Sequence, residues 1–277
     1  MPTKTIEVED VEIRLLLEGV QQVYGYDFRD YADASIKRRL TQWLSESEFE
    51  TFSQAQSRLL RDPEMFFSLL QGITVNVTEM FRDPAFFRTI REQVVPFLKT
   101  YPFVKIWHAG CASGEEAYSM AILLNEEGMA GRYRMYATDI DEAVLQKAAE
   151  GVMPMTEMQK FTRNYQKSGG TASFADYYTA RYDRALLSAT LKKDIVFAPH
   201  NLATDAEFGE MHMVLCRNVM IYFKPALKER CLKLFDDSLA PGGFLCLGLK
   251  ESLERKRIGD KYEELVPFMR IYRKRYG

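Results

Sequence analysis

Two hydrophobic periods divide the chain. Up to about residue 75 the apolar positions recur at helical spacing. "VEDVEIRLLLEGVQQVYGYD" sets Val11, Leu15, Val20 and Val23 on roughly one face, and "YADASIKRRLTQWLSE" sets out Ile36, Leu40, Trp43 and Leu44. A third helical stretch starts in "TFSQAQSRLL" from Thr51 and runs to "DPEMFFSLLQGI", where Pro63 suits the first turn of a helix after Asp62. After Pro102 short apolar runs alternate with helical patterns, which predicts a mainly parallel sheet covered by helices. The expected strands are Val104 to His108, Tyr133 to Thr138, Ile195 to Pro199, Met213 to Cys216, Phe244 to Gly248, and a last piece near Phe268 to Tyr272. Residues 168–193 open on Gly169-Gly170 and carry Phe174, Tyr177 and Tyr178. The spacing between the second and third strands is too long for one crossover, and these residues read as an inserted hairpin or small sheet.

Composition narrows the class. A chain of 277 residues has room for one large domain or two modest ones. Lys+Arg 37 against Asp+Glu 39 gives a formal charge of -2, so bulk electrostatics does not recommend nucleic acid as a partner. The 4 cysteines, Cys111, Cys216, Cys231 and Cys246, lie inside apolar patterns without paired metal spacing and read as buried free thiols. His108, His200 and His212 are dispersed and read as core or strand-end residues rather than metal ligands. No apolar run approaches the ~18 residues of a membrane span, and the acidic start "MPTKTIEVEDVEIRLLLEGV" is unlike a signal peptide. A cytoplasmic protein without direct membrane insertion is expected.

The chemistry concentrates in "KIWHAGCASGEEAYSMAILL", Lys105 to Leu124. A strand meets a small-residue turn, Gly110 to Gly114, and a helix begins with Glu115 and Glu116, with Ser113 as an expected cap. Such turns present backbone N–H groups to nucleotides. No Gly-Lys-Ser/Thr follows, so it is not a P-loop, and the two glutamates put negative charge where a dinucleotide's phosphates would sit. The turn suits a nucleoside without phosphates, and S-adenosylmethionine fits. The competing reading is an ordinary strand-to-helix turn with solvated glutamates. Asp139, ending "RMYATDID", stands where nucleoside-binding α/β folds accept hydrogen bonds from ribose, although Asp139 or Asp141 could instead cap the helix "EAVLQKAAEG". At the end of the third strand, Asn201 is placed to read an adenine edge with Leu202 packing beside it.

The motifs "TVNVTEMFRDPAFF" from Thr74, "GCASGEEAYS" from Gly110, "ATDID" from Ala137, "NL" at 201, "CRNVMIYF" from Cys216 and "APGGFLCLG" from Ala240 follow one another in order. Together they resemble the CheR-type chemotaxis receptor methyltransferases over nearly the whole chain. The resemblance implies an α/β fold: a Rossmann-like class I methyltransferase domain with a small inserted β-subdomain, preceded by an all-α N-terminal domain. Its division here is a helical domain over 1–75, a linker over 76–100 that contributes to the cofactor site, and an S-adenosylmethionine-binding domain over 101–277 with the insertion at about 168–193.

The activity implied is methyl transfer from S-adenosylmethionine to glutamate side chains of chemoreceptors, leaving S-adenosylhomocysteine. Position by position, Asn76, Thr78 and Arg82 match linker residues that reach the cofactor, and Glu115, or Glu116 by a shift of one, matches the acid near its methionine end. Asp139 matches the ribose-binding acid, Asn201 and Leu202 the adenine contacts, Arg217 and Asn218 the residues that close the reaction centre, and Tyr222 a tyrosine near the transferred methyl. Arg82 and Tyr222 are the catalytic candidates, as donors that hold the acceptor carboxylate. The residues alone allow Arg82 to pair with Asp83 or Glu79 instead. Lys37, Arg38 and Arg39 form a basic run that is either a solvated face or a docking site for an acidic helical receptor. The insertion corresponds to a subdomain that in some family members binds a receptor's C-terminal peptide. One departure stands out, since Leu249 and Lys250 occupy places where the family commonly has histidine and serine before a glutamate. His108 and the variant "TVNVTEMF" are milder differences. The alternatives are another methyl acceptor, or a cofactor-binding signalling module without turnover.

Overall fold

The computed structural model describes residues 7–253, 259–266 and 268–276. The chain divides into two compact units. One gathers the residues up to Val75 with Asn201–Ala206 and Tyr222–Cys231, and the other gathers Asn76–His200, Glu207–Ile221 and the chain from Leu232 onward.

The first unit is built on four helices, α1 (Val8–Tyr24), α2 (Asp33–Ser45), α3 (Phe52–Leu59) and α4 (Pro63–Ile73). Their ends follow local chemistry. Thr51 and Gln54 form a reciprocal capping box on α3, and Asp62 accepts the Glu64 and Met65 N–H groups with Pro63 at the first turn of α4. α2 buries Ile36, Leu40 and Trp43 as expected, and Leu44 is half-buried. α1 differs from expectation: its buried face is Ile13, Leu16, Leu17 and Val20, while Leu15 and Val23 are 54% and 53% exposed. The reason is geometric. Steps of three, one and three residues stay on one face of a helix, whereas the expected set drifts around it. The segment from Tyr222 joins this unit through the Ala32 N–H on the Tyr222 carbonyl at 2.8 Å and the Lys224 N–H on the Asp30 carbonyl at 2.7 Å.

The second unit begins in chain without regular secondary structure and then forms α5 (Pro84–Thr89), one π-helical turn (Ile90–Val94) and α6 (Val95–Leu98), so much of the expected linker is helical. In chain order follow β1 (Val104–Ala109), α7 (Glu115–Glu126), β2 (Tyr133–Asp139), α8 (Glu142–Glu150), β3 (Val152–Pro154), α9 (Met155–Lys167), β4 (Tyr178–Arg181), β5 (Arg184–Leu187), α10 (Ala189–Lys192) and β6 (Ile195–Pro199). The chain goes on with β7 (Met211–Cys216), α11 (Pro225–Ser238), β8 (Leu239–Leu247), β9 (Tyr262–Val266) and β10 (Ile271–Lys274).

Seven strands form one sheet in the order β6-β2-β1-β7-β8-β10-β9. The pairs from β6 to β8 are parallel and β10 runs antiparallel to both of its neighbours. This is a Rossmann-like sheet with an antiparallel strand near one edge. The last strand lies slightly later than expected, and β9 was not anticipated because its "YEELV" carries two glutamates and lacks an apolar run. β3, β5 and β4 form a second, antiparallel sheet. The hairpin β4–β5 falls inside the expected insertion, but the third strand comes from Val152–Pro154, only three residues long and too short to show a period. α7 is buried nearly all round, from Ala117 to Leu124, which places it in the centre of the core. All four cysteines are buried and outside any disulfide. Among the described residues no helix is long and apolar enough to cross a membrane.

Candidate functional site

Strand order reverses at β1. From it the chain builds outward through β2 to β6 and returns to place β7 on its other side, and ligands of open α/β sheets bind at the carboxyl ends of strands at such a point. The turn after β1 and the turn after β7 both lie there. They approach closely: a Cβ on Gly110, whose φ is 78°, would come within 2.5 Å of Val219 Cγ2. Gly110 is therefore required twice, for its backbone and for its missing side chain.

Asp139 organises the first turn. Its carboxylate accepts the Ala112 N–H at 2.8 Å and the Asp141 N–H at 3.2 Å. Its carbonyl accepts the His200 N–H at 3.0 Å. Helix capping falls to Asp141, which accepts the Ala143 and Val144 N–H groups and also the Asn76 side-chain amide at 3.2 Å. Asp139 is thus not the cap and retains lone pairs for a ligand. Burial pushes its carboxyl up, against the opposing pull of the Ala112 N–H. Ser113 is not the cap of α7 that the sequence leads one to expect. Gly114 takes the cap position with φ 89°, and the Ser113 hydroxyl donates to Glu115 at 2.8 Å.

The adjacent glutamates of α7 have different partners. Glu115 is buried and its carboxylate accepts the Ser113 hydroxyl, and burial pushes its carboxyl up. Glu116 accepts Arg217 Nη1 at 2.8 Å and faces His108 Nδ1 at 3.1 Å. Burial raises its carboxyl, but Arg217 and His108 outweigh it and the net direction is down.

Arg217 leaves the end of β7 with its side chain fully buried. Its other terminal nitrogen donates to Asp83 at 2.8 Å, and its guanidinium carbon lies 3.8 Å from the centroid of the Phe86 ring. One arginine therefore joins the chain before α5 to the start of α7. The segment before α5 is held at other points as well. The Phe81 N–H donates to Ser119 Oγ at 2.8 Å, Asn164 donates to the Met80 carbonyl at 3.1 Å, and Glu79 pairs with Lys160. Phe81 and Asp83 have φ of 53° and 56°, a region costly for side-chain-bearing residues, so these contacts hold a strained backbone on both sides of Arg82. Of the two acids beside Arg82, Asp83 pairs with Arg217 and Glu79 with Lys160. Thr78 is half-buried in the same segment.

The turn after β7 has a second fastening. The Glu251 carboxylate accepts the N–H groups of Gly248 at 2.6 Å, Asn218 at 3.0 Å, Val219 at 3.1 Å and Ile221 at 3.1 Å. Asn218 has φ 63°. Glu251 was not among the residues singled out in the sequence; Glu116 was named only as the alternative to Glu115, and Asp83 only as a partner for Arg82.

Asn201, Leu202 and Tyr222 lie in the other compact unit. There Asn201 closes a small turn: its side-chain oxygen accepts the Ala203 N–H at 3.0 Å and its own N–H donates to Asp205 at 2.8 Å. Leu202 is buried, with its carbonyl on Arg230 Nε at 3.3 Å. The Tyr222 ring has the Arg39 guanidinium 5.8 Å from its centroid.

The donor set fits S-adenosylmethionine. Gly110 to Glu116 carry two glutamates and no cationic side chain, and a buried aspartate stands at the neighbouring strand end, which favours ribose hydroxyls and a sulfonium over phosphates. Comparison with known proteins agrees. The model of the CheR methyltransferase SAM-binding domain matches residues 76–265, and that of the CheR methyltransferase all-alpha domain matches residues 11–74. A Pseudomonas putida protein named Cher3 and assigned as a methyltransferase is 49% identical over 265 residues, 96% of this chain and 97% of that one. The chemotaxis protein methyltransferase of Listeria innocua is 28% identical over 236 residues, 84% and 87% of the two chains. Chemotaxis protein methyltransferase 2 of Vibrio cholerae is 28% identical over 262 residues, 90% and 88% of the two chains. The chain belongs to the CheR methyltransferase family, a family of S-adenosylmethionine-dependent enzymes.

Proposed function

We propose that the protein methylates glutamate side chains of methyl-accepting chemotaxis receptors, forming glutamyl methyl esters in sensory adaptation. The observation that carries the reading is the Asp83–Arg217–Glu116 triad around a fully buried arginine, which ties the segment bearing Asn76, Thr78 and Arg82 to the turn after β1. When bound, S-adenosylmethionine supplies an electrophilic methyl group on a cationic sulfur. Asp139 accepts from the ribose hydroxyls, Asn201 and Leu202 receive the adenine, and Asn76, Thr78 and Asn218 complete the surround. Glu115 takes the methionine end, since Glu116 is committed to Arg217 and His108. Arg217 acts as a positioning residue.

A glutamate acceptor has a reference pKa of ~4.3, so it is ionised at neutral pH and needs no strong base. What the protein supplies is placement, a contribution that reaches about 7–11 kcal/mol in well-oriented reactions. Arg82 holds the acceptor carboxylate by donating to it, and Tyr222 is the second donor; neither takes a proton. For the receptor, the basic run of α2 offers chiefly Arg38, which is exposed, because Lys37 is engaged by Asp10 and Arg39 by the Thr74 carbonyl. A receptor's C-terminal peptide would add to β4, which pairs with β5 on one side and stands last in the small sheet.

Incubating the protein with methyl-labelled cofactor and receptor-containing membranes is expected to place base-labile label on the receptor. Base-stable label, or none across a panel of receptors, would contradict the reading. Label in soluble metabolites or RNA would select another acceptor.

A further inference from the structure

We infer that Glu251 is a positioning residue for the cofactor site, acting by gripping the backbone of the turn after β7. The inference rests on the cofactor reading above, which places Asn218 of that turn at the cofactor. Glu251 is 6% exposed. Each of its oxygens accepts two backbone N–H groups: Oε2 those of Gly248 and Asn218, and Oε1 those of Val219 and Ile221. One carboxylate thus satisfies three donors of the turn Asn218–Ile221 and one at the end of β8. A neutral side chain cannot replace it, because an amide would turn its own N–H₂ toward two of the donors.

The neighbourhood is shaped to admit this carboxylate. A Cβ at Gly248 would stand 2.6 Å from Glu251 Oε2 and 2.8 Å from the Asn218 nitrogen. Glu251 N–H also donates to the Gly248 carbonyl at 2.8 Å, which folds the carboxylate back over its own turn. What it holds is a turn in an uncommon backbone conformation, since Asn218 has φ 63°. The same turn starts at Arg217, whose side chain is fixed by Glu116 and Asp83. Side-chain charge fixes one end and backbone capture the rest. Leu249 and Lys250, the two departures from the residues common in the family, are both exposed, whereas Glu251 turns inward.

The test is titration with S-adenosylhomocysteine, well below the unfolding temperature of each protein, of wild type, Glu251→Gln, Gly248→Ala and the control Leu249→Ala. Affinity is expected to fall at least about tenfold in the first two, as for loss of one hydrogen bond to a charged group, and to stay unchanged in the control. A purely structural role would lower the melting temperature of Glu251→Gln without moving its affinity, and that result overturns the inference. No binding by wild type would overturn the cofactor reading itself. Should neither variant fold, amide exchange on wild type decides. Slow exchange at Gly248, Asn218, Val219 and Ile221, slowed further by S-adenosylhomocysteine, upholds the grip; exchange at the rate of open loops overturns it.

Discussion

The two units use charge in opposite ways. In the helical unit, ion pairs lie on the surface: Lys37 meets Glu9 and Asp10, and Arg29 meets Glu18 and Asp27, all with partly exposed side chains. In the α/β unit, Arg217 is fully buried between Glu116 and Asp83, and Glu251 is buried against four N–H groups. Surface pairs exchange readily with water and contribute little. Buried ones leave an unpaired charge when broken, so they fix geometry even where they add little net stability. Buried charge is therefore gathered around the turns after β1 and β7.

Truncation separates the two cases most strongly. Arg217→Ala removes the buried cation shared by Glu116 and Asp83 and is expected to cost about 3–5 kcal/mol in urea unfolding. Lys37→Ala, measured alongside, is expected to leave the midpoint nearly unchanged. Comparable losses from the two would erase the contrast.

A finer break lies between the adjacent glutamates. Glu116 has its carboxyl lowered overall, so it contributes stability that is present above the ordinary range near ~4.3 and lost as pH falls through its folded value. Glu115 is raised by burial, so the sign reverses: its contribution is complete below the ordinary range and lost as pH rises through its folded value. At pH 7, Glu116→Gln should therefore be less stable than wild type and Glu115→Gln more stable, both differences shrinking as the solution is acidified. Unfolding midpoints followed from neutral to acid pH check this, and changes of the same sign in both variants would refute the assignment of partners.

Much of this was legible in the sequence. The strand positions, Pro63 after Asp62, and the Gly110–Gly114 turn followed from local rules, because period, cap and turn are set by neighbouring residues. The buried face of α1 was not, since Leu15 and Leu16 compete for the core and only tertiary packing chooses. β3 was hidden by its length and β9 by its glutamates. In the site, Asp139 stood out by its place at a strand end. The partners of Arg217 and Glu251 did not: Asp83 and Arg217 are 134 residues apart, and no periodicity records a contact over that distance. Ser113 shows the reverse failure, since a local rule marked it as a cap and the structure gives its hydroxyl to Glu115.

The central claim is that the buried acid at the end of β2 and the phosphate-excluding turn after β1 hold one S-adenosyl nucleoside. Calorimetric titration of wild type and Asp139→Ala with S-adenosylhomocysteine tests it without any knowledge of the receptor. Saturable binding by wild type is expected, weakened about 10- to 150-fold or abolished in the variant, as for a charged hydrogen bond of roughly 1.5–3 kcal/mol. Equal affinity in the two proteins, or no binding by wild type, would contradict the account.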